Sequence, residues 1–374
     1  VITTIFPNPN NGTVGAYNRE IIAELSGHYD IDVVVPISWT QRIRKGQISS
    51  WTLKQATVHH PTFFYPPGRL HTVHDAFYYY SILGLVKRLH RNQPFSAILG
   101  IWLFPDGSTT RKLAQEISVP YFIRVMGTDV NRLTREHPLY AKSMEVLGDT
   151  EKVFCNSKGL QNKLVSLGVQ VEKIILLRNG VNKQIFFPRK PEIALQALGI
   201  SEKHKIVLYV GNLKREKGVF ELLAAFAEMT KASRPCGVKL YVIGEGPAAS
   251  ELRRHADVEG ISDSVIFLGR KSPEEVALWM NAAALLSLPS YSEGMPNVVL
   301  EALSCNTPVV ATAIEGIIEL AEEDPRITLV PVKEVQPLAN ALTDMINNGL
   351  KYQQGLVLNS WAEFAGAVSK IIGG

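Results

Sequence analysis

Cysteines are scarce in this 374-residue chain, and long apolar runs are missing. The three cysteines, Cys155, Cys236 and Cys305, lie far apart without metal-ligand spacing, which predicts small buried side chains in a reducing compartment. No apolar run reaches the roughly 20 residues that a membrane-spanning helix needs, and no signal peptide is recognisable. These absences predict a cytoplasmic protein. Because residue 1 is not Met and residues 1–6 have the pattern of a strand, we also expect a few native residues before them.

The sequence also has no recognisable nucleic-acid-binding motif, short repeat or low-complexity tract. Its charge is unevenly distributed, since residues 1–190 carry 23 Lys and Arg against 13 Asp and Glu, whereas the rest carries 16 against 22. This asymmetry predicts two surfaces that meet different partners. We expect no nucleic acid partner, and an anionic membrane surface or an anionic acceptor fits the basic half better.

Short β-rich runs alternate with helical patterns along the whole chain. The candidate strands are residues 1–6, 31–37, 97–102, 121–126, 153–156 and 174–177 in the first half, and 205–210, 239–243, 265–268, 284–288, 308–312 and 327–330 in the second. This alternation is typical of parallel, doubly wound α/β sheets. The chain length favours two domains, and the two prolines within residues 186–191 predict a linker between two Rossmann-like units.

Two glutamates, Glu293 and Glu301, stand eight positions apart, just after the apolar run 284–289. We place Glu293 in a strand-to-helix loop and Glu301 about two turns into the helix, where roughly 100° per residue leaves both carboxylates facing one cleft. Between them, residues 294–298 would present free backbone N–H groups at a helix N-terminus, where anions are held. Such a site suits a ligand with hydroxyls at both ends and phosphate in the middle, such as a nucleotide sugar. The alternative is a solvated helix face.

In each half of the chain, one glycine-bounded loop follows the first strand. The loop from Gly211 to Gly218 encloses three cations, Lys214, Arg215 and Lys217, which could neutralise a diphosphate. The alternative is a solvated loop. The run Gly12-Thr13-Val14-Gly15 precedes a helical pattern, and by itself it fits a structural turn equally well.

These segments resemble the retaining glycosyltransferases of family 4. Residues 289–296, Pro-Ser-Tyr-Ser-Glu-Gly-Met-Pro, match the lead-in to the family's pair of glutamates separated by seven residues, and residues 211–218 match its G-x-L-x-x-x-K-G loop. Weaker matches are Asn-Gly-Val-Asn at 179–182, Gly-Glu-Gly-Pro at 244–247 and Gly-Thr-Asp-Val-Asn at 127–131. Bacterial members that build surface polysaccharides, such as those of teichuronic acid synthesis, look most similar.

The resemblance implies the α/β fold class GT-B, with two Rossmann-like, doubly wound parallel-sheet domains facing across a cleft. We expect the acceptor-side domain at residues 1–188 and the nucleotide-sugar donor domain at residues 189–355. A C-terminal helix within residues 356–374 would pack back on the first domain.

The resemblance also implies a role for each matching residue. Glu293 and Lys217 would be catalytic, with Glu293 accepting hydrogen bonds from the donor sugar and Lys217 stabilising charge on the leaving diphosphate. Glu301 would bind the ribose hydroxyls of the donor. Asp129 would lie on the acceptor side, and an N-cap role for it is equally open. The other expected donor contacts are Gly12, Gly15, Arg215, Gly294, Met295, Asn297 and Val298.

Three departures from the family pattern bear on the site. Asn212 stands where Arg is common, which leaves Arg215 as the substitute for a second phosphate-binding cation. Met126 occupies the position of a common His, so we expect no histidine at the reacting centre. Glu315 replaces a glycine and would bring a negative charge towards the phosphate region.

The sequence therefore predicts an enzyme that transfers a sugar from a nucleotide-diphosphate donor to a glycan or glycolipid hydroxyl, retaining the anomeric configuration. The family is thought to use front-face attack, with the leaving phosphate as the base. Cationic side chains and helix dipoles would do the work of a metal, so we expect no metal and no cofactor. The alternatives are a nucleotide-sugar epimerase or phosphorylase on the same fold, and a non-catalytic scaffold subunit.

Aromatic residues beside basic clusters occur twice in the first half, at residues 63–69 and 77–91. Such a pattern suits an anionic bilayer interface and predicts peripheral attachment to the inner face of the plasma membrane. A core aromatic set with a solvated basic end is the alternative.

Overall fold

The structure, a computed structural model, describes residues 1–8, 15–45, 49–66, 70–233, 237–349 and 355–373. The chain divides into two compact units, one of Val1–Asn179 with Trp361–Gly374 and one of Gly180–Ser360. The sequence had predicted domain boundaries after residues 188 and 355. Each unit is an α/β layer structure built on a mainly parallel sheet, as the βα alternation predicts.

The helices and strands of the first unit precede those of the second along the chain, except for the last helix. The first unit contains strands β1 (Ile31–Val34), β2 (Ile37–Ser38), β3 (Trp51–Leu53), β4 (Ala56–His59), β5 (Thr62–Phe63), β6 (Ile98–Ile101), β7 (Tyr121–Arg124), β8 (Val153–Cys155) and β9 (Ile174–Leu176). Its helices are α1 (Ala16–Leu25), α2 (Trp39–Lys45), α3 (His74–Asn92), α4 (Ser108–Ile117), α5 (Thr128–Asn131), α6 (Tyr140–Asp149) and α7 (Lys158–Ser166).

The second unit has one strand for each of its six predicted strands. They are β10 (Lys205–Val210), β11 (Val238–Ile243), β12 (Val265–Gly269), β13 (Leu285–Leu288), β14 (Val309–Thr312) and β15 (Ile327–Val330). The helices are α8 (Pro191–Leu198), α9 (Val219–Ser233), α10 (Ala249–Val258), α11 (Pro273–Ala282), α12 (Asn297–Ser304), α13 (Glu315–Glu323) and α14 (Val335–Asn348), and α15 (Trp361–Gly373) then returns to the first unit.

In the first unit, residues 1–3 lie between two strands. The Thr3 amide donates to Val34 O of β1 at 3.2 Å, and the Ile2 amide donates to Leu99 O of β6 at 2.9 Å. The predicted strand at residues 1–6 is therefore present as a short segment that joins β3-β4-β1 to β6-β7-β8-β9. The antiparallel β3–β4 hairpin and the β2–β5 pair were not predicted. Strands β2 and β5 have only two residues each, and threonine and histidine interrupt the apolar run in β3 and β4.

The sheet of the second unit is parallel throughout and runs in the order β12-β11-β10-β13-β14-β15. Its strands are apolar on both faces because α9 and α14 cover one face, whereas α8, α11, α12 and α13 cover the other. The strand order reverses between β10 and β13. Ligands bind at such a reversal in open α/β sheets, outside the carboxyl ends of the strands.

Helix α15 packs within the first unit, against α1. The Tyr29 hydroxyl donates to Ser369 O at 2.9 Å, and the Arg124 guanidinium lies 5.2 Å from the centre of the Phe364 ring. Across the described ranges, no helix has both the length and the apolar character needed to cross a membrane.

Candidate active site

Two loops of the second unit meet where the strand order reverses. One follows β10 and ends at Gly218, and the other follows β13 from Pro289. Gly218 has φ 67°, and a Cβ atom there would lie 2.0 Å from Pro289 O, so only glycine allows the two backbones this close. The Tyr291 amide donates to Glu216 O at 2.9 Å and joins the loops a second time.

These loops bring together the two residues predicted to be catalytic. Lys217 Nζ donates to Glu293 Oε1 at 2.6 Å, across 76 positions of sequence. The two side chains are 24% and 17% exposed, so the pair is shielded from water but still accessible. The Ser290 hydroxyl donates to the same oxygen, Oε1, at 2.8 Å. The other oxygen, Oε2, accepts no hydrogen bond from any described residue, which leaves it available to a ligand.

Glu301 lies closer to the start of its helix than predicted. Helix α12 begins at Asn297, so Glu301 is its fifth residue, about one turn in, and the prediction of two turns was wrong. The reason is Pro296, whose extended backbone (φ −75°, ψ 112°) delays the helix until the next residue. Glu301 is partly buried and pairs with no described side chain. Burial raises the pKa of its carboxyl to about 7.

The predicted anion-binding segment forms the entry to α12. No side chain caps this helix N-terminus, where the helix dipole places partial positive charge. Gly294 lies against Gly316 of α13, where a Cβ atom would meet Gly294 O at 1.6 Å. Met295 is buried, whereas Asn297 and Val298 are partly exposed. The backbone of this segment is therefore fixed by contact with α13.

Arg215 pairs away from Lys217 and Glu293. Its guanidinium donates to Glu251 of α10 at 2.7 Å and lies 4.4 Å from the centre of the Phe220 ring. Asn212 is exposed, and its carbonyl accepts the Tyr209 hydroxyl at 3.0 Å. A role for Arg215 as the second phosphate-binding cation stays a prediction, and Glu251 competes for its charge. Glu315 is exposed at the first position of α13.

The remaining predicted site residues belong to the first unit. Gly12 lies outside the described residues. Gly15 precedes α1 with φ 65°, and a Cβ atom there would lie 2.3 Å from Ile5 O. The backbone therefore requires a glycine at this position. The chain also contains one Asp-x-Asp sequence, at residues 30–32, where β1 begins. Asp32 Oδ1 lies 2.6 Å from His59 Nε2 there, so this sequence is engaged within the first unit.

Asp129 uses both carboxylate oxygens on the backbone. Oδ1 accepts the amides of Met126 at 3.0 Å and Gly127 at 2.9 Å, and Oδ2 accepts the amide of Leu103 at 3.1 Å. Burial raises its pKa to about 6. The N-cap of α5 is Gly127, so Asp129 is not the N-cap and instead ties the loops after β6 and β7 together. Its contact with an acceptor stays a prediction.

Several residues around Lys217 and Glu293 were not singled out in the sequence. Ser290 supports Glu293, as above, and the Thr312 hydroxyl of β14 donates to Ser290 O. The Tyr291 hydroxyl donates to Glu221 at 2.6 Å, and burial with this carboxylate raises the pKa of Tyr291 to about 12. The only sequence signal for Ser290 and Tyr291 was their place beside Glu293 in the lead-in segment, and Glu221 and Thr312 lie outside it.

The domain that contains these side chains matches a known protein family. Residues 191–359, within the second unit, match the family described as "Glycosyl transferases group 1". The second unit is a group 1 glycosyltransferase domain. The predicted resemblance is thereby confirmed, and the domain contains Lys217, Glu293 and Glu301.

Curated relatives extend the likeness beyond that domain. The candidate teichuronic acid biosynthesis glycosyltransferase TuaC of Bacillus subtilis (strain 168) is 26% identical over 360 residues, which cover 91% of this chain and 87% of that protein. A D-inositol 3-phosphate glycosyltransferase of Mycobacterium marinum is 29% identical over 232 residues, which span 60% of this chain and 48% of that protein.

Solved structures confirm the predicted fold of the chain. Sucrose-phosphate synthase from Thermosynechococcus elongatus superposes with a TM-score of 0.73 at 20% identity, covering 98% of this chain and 90% of that one. Anabaena HepE, solved in complex with UDP, gives 0.68 at 18% identity and covers 94% and 91%. These neighbours confirm the predicted GT-B fold class with two Rossmann-like units.

Proposed function

We propose that this group 1 glycosyltransferase transfers a sugar from a nucleotide-diphosphate donor to an acceptor hydroxyl with retention of configuration. The observation that carries the proposal is the 2.6 Å contact of Lys217 with Glu293 at the reversal of the parallel sheet. This contact puts a cation, a carboxylate and an uncapped helix N-terminus at one edge of the domain. The relative HepE, whose structures contain UDP and UDP-glucose, supports a nucleotide-sugar donor.

Each group in this edge has a task that its chemistry suits. Lys217 stabilises the charge that grows on the leaving diphosphate, because an ammonium stabilises an anion most strongly in a site shielded from water. The backbone at residues 294–298 takes part in the same anion binding through the helix dipole. Glu293 Oε2 accepts a hydrogen bond from a hydroxyl of the donor sugar, and Glu301 accepts hydrogen bonds from the ribose hydroxyls. These charged groups do the work of a metal, so transfer proceeds in the presence of a chelator.

The product is a bacterial polysaccharide or glycolipid. The similarity to TuaC supports this product, because the name of TuaC assigns that protein to teichuronic acid biosynthesis. The similarity covers 91% of this chain. The acceptor is accordingly a glycan or glycolipid hydroxyl rather than a free nucleotide or a protein.

A donor screen tests the proposal. Nucleoside-diphosphate sugars are added one at a time to the wild type and to Glu293→Gln, Lys217→Ala and Glu301→Ala, and the melting temperature is recorded. One donor should stabilise the wild type, since a ligand that binds only the folded state raises its stability. Glu301→Ala should lose that shift. The matched controls are Glu274→Gln, an exposed glutamate of α11, and Lys231→Ala, an exposed lysine of α9; both should retain it.

The same proteins are then assayed for transfer with the identified donor. Glu293→Gln and Lys217→Ala should each lower transfer by roughly a hundredfold or more, the scale expected for removing one electrostatic donor. Unchanged transfer in both folded variants refutes the proposal. Isomerised donor without any acceptor would indicate an epimerase, release of a sugar phosphate would indicate a phosphorylase, and the absence of donor binding would indicate a scaffold.

We also infer that the first unit attaches to an anionic bilayer from the cytoplasmic side. Phe64 and Tyr80 are 61% and 75% exposed, and the Phe64 amide donates to the Ser81 hydroxyl, which places both aromatic residues beside α3. Arg88 and Arg91 are exposed further along the same helix. Tyr80, Arg88 and Arg91 on α3, with Phe64 beside it, suit the boundary between headgroups and acyl chains.

Sedimentation with vesicles tests this attachment. The protein should pellet with vesicles that contain an anionic phospholipid and remain in solution with neutral phosphatidylcholine vesicles. The pelleted fraction should fall as salt rises, because the Debye length shortens. Tyr80→Ser should weaken pelleting, whereas Tyr241→Ser, a residue of the second unit, should not. Equal pelleting with both vesicle types at low salt contradicts the inference.

A further inference from the structure

Ser290 lies directly behind the catalytic glutamate. It follows β13 and is fully buried, and its hydroxyl donates to Glu293 Oε1 at 2.8 Å. Its carbonyl accepts the hydroxyl of Thr312, a buried residue at the end of β14. Glu293 is thus connected through two buried side chains to two adjacent strands of the sheet. A carboxylate in a loop is thereby connected to two inner strands of the parallel sheet.

Lys217 and Ser290 donate to the same oxygen of Glu293, but they differ in what a substrate does to them. An ammonium is attracted to any diphosphate that enters, so we expect donor binding to draw Lys217 away from Glu293. The Ser290 hydroxyl is buried and cannot follow. Once Lys217 faces the diphosphate, Ser290 is the described side chain that still fixes Oε1 and leaves Oε2 directed at the sugar.

We propose that Ser290 is a positioning residue, which holds Glu293 in its productive orientation after Lys217 has moved to the diphosphate. Thr312 acts one step further back, by fixing the Ser290 backbone. The inference rests on the proposed function, because it assigns Glu293 to the donor sugar and Lys217 to the diphosphate. It predicts that Ser290 matters for the sugar and not for the nucleotide.

The first test compares two ligands by calorimetry. Ser290→Ala should bind the nucleoside diphosphate as the wild type does, within about twofold, but it should bind the nucleoside-diphosphate sugar roughly tenfold more weakly, the scale of a charge-assisted hydrogen bond. The fall in kcat should be larger than the rise in KM. Ser287→Ala is the matched control. Ser287 is also fully buried, in β13, and its hydroxyl has no partner among the described residues, so binding and kcat should stay unchanged.

A double-mutant cycle separates positioning from a structural role. If Ser290 acts through Glu293, then Ser290→Ala should weaken sugar-dependent binding about tenfold in the wild type and less than twofold in Glu293→Ala, which removes the oxygen that accepts the Ser290 hydroxyl. An equal loss in both backgrounds overturns the inference. Should Ser290→Ala fail to fold, Thr312→Val gives the second measurement, since it retains the volume and removes the hydroxyl. It should lower kcat several-fold with nucleoside-diphosphate binding unchanged, and an unchanged kcat overturns the inference.

Failure of this inference is distinguishable from failure of the proposed function. If Glu293→Gln and Lys217→Ala abolish transfer while Ser290→Ala is fully active, only the positioning role is lost. If Glu293→Gln itself transfers sugar at the wild-type rate, the proposed function is lost and Ser290 has nothing to position.

Discussion

Donor affinity should depend on pH through Glu301. Burial raises the pKa of this carboxyl from 4.5 to about 7, and it forms no hydrogen bond with a described side chain that could favour either form. The ionised carboxylate is the stronger acceptor for ribose hydroxyls. With a pKa of about 7, about nine-tenths of the molecules carry that charge at pH 8 and about one-tenth at pH 6. The dissociation constant of the donor should therefore rise about tenfold as the pH falls from 8 to 6.

The assay is calorimetric titration at pH 6, 7 and 8 with a nucleotide sugar. A free nucleoside diphosphate is unsuitable because its own terminal phosphate titrates near pH 6. Glu301→Gln should bind more weakly at pH 8 and show a flat profile, whereas Glu274→Gln should follow the wild type. A wild-type profile that Glu301→Gln does not flatten would refute the assignment of the pH dependence to this group.

Stability provides an independent check with its own sign. A carboxyl whose folded-state pKa is raised stabilises the fold fully below its unfolded pKa of 4.5, and this contribution is lost as pH rises through about 7. Replacing Glu301 by Gln removes the loss. The variant should therefore unfold at a higher temperature than the wild type at pH 8, with a smaller difference at pH 5. A lower melting temperature at pH 8 would show that the carboxylate is already well solvated or paired.

Three further predictions concern the loops around the site. Gly218→Ala should lower the free energy of unfolding more than Gly260→Ala, because both glycines have positive φ but only Gly218 lies against another backbone segment. Chemical denaturation compares the two variants, and equal losses of stability would contradict the close approach at Gly218. Asn212→Arg should tighten donor binding by up to about tenfold by adding a cation to the phosphate loop, measured by calorimetry; weaker binding would place this side chain elsewhere. Asp129→Asn should destabilise the fold by about 1–3 kcal/mol, because its amide nitrogen cannot accept the backbone amides that the carboxylate accepts, and an unchanged melting temperature would contradict this role.

The parallel sheet of the second unit was predictable because its strands are buried on both faces and therefore appear as continuous apolar runs. The strands at residues 205–210 and 327–330 have the same bounds in the structure as in the sequence analysis. The β3–β4 hairpin shows the limit, because Thr52, Thr57 and His59 leave these strands without a continuous apolar run. The helix start at Asn297 was misplaced for a related reason, since one extended proline shifts a boundary without changing the apolar pattern.

Side-chain partners were the least predictable part of the site. The types and positions of Lys217 and Glu293 were accessible from the sequence, because their loops carry motifs. Their direct contact depends on which strands are adjacent, and the sequence gives no register between β10 and β13. Arg215 illustrates the same gap, because its pairing with Glu251 follows from the packing of α10. Ser290 was visible only as one letter of a lead-in segment.

Lys217 and Glu293 neutralise each other in the site when no ligand is bound. Two partly buried charges that are opposite in sign satisfy each other until a ligand arrives, which avoids the penalty of an unpaired charge. Under the proposed function, a diphosphate sugar would replace both partners at once, because its phosphates attract the cation and its hydroxyls donate to the carboxylate. A ligand with only one of these features would leave one charge unsatisfied if it broke the pair. We therefore expect the pair to disfavour free sugars, and we expect this selectivity to arise from the arrangement of the two loops rather than from either residue alone.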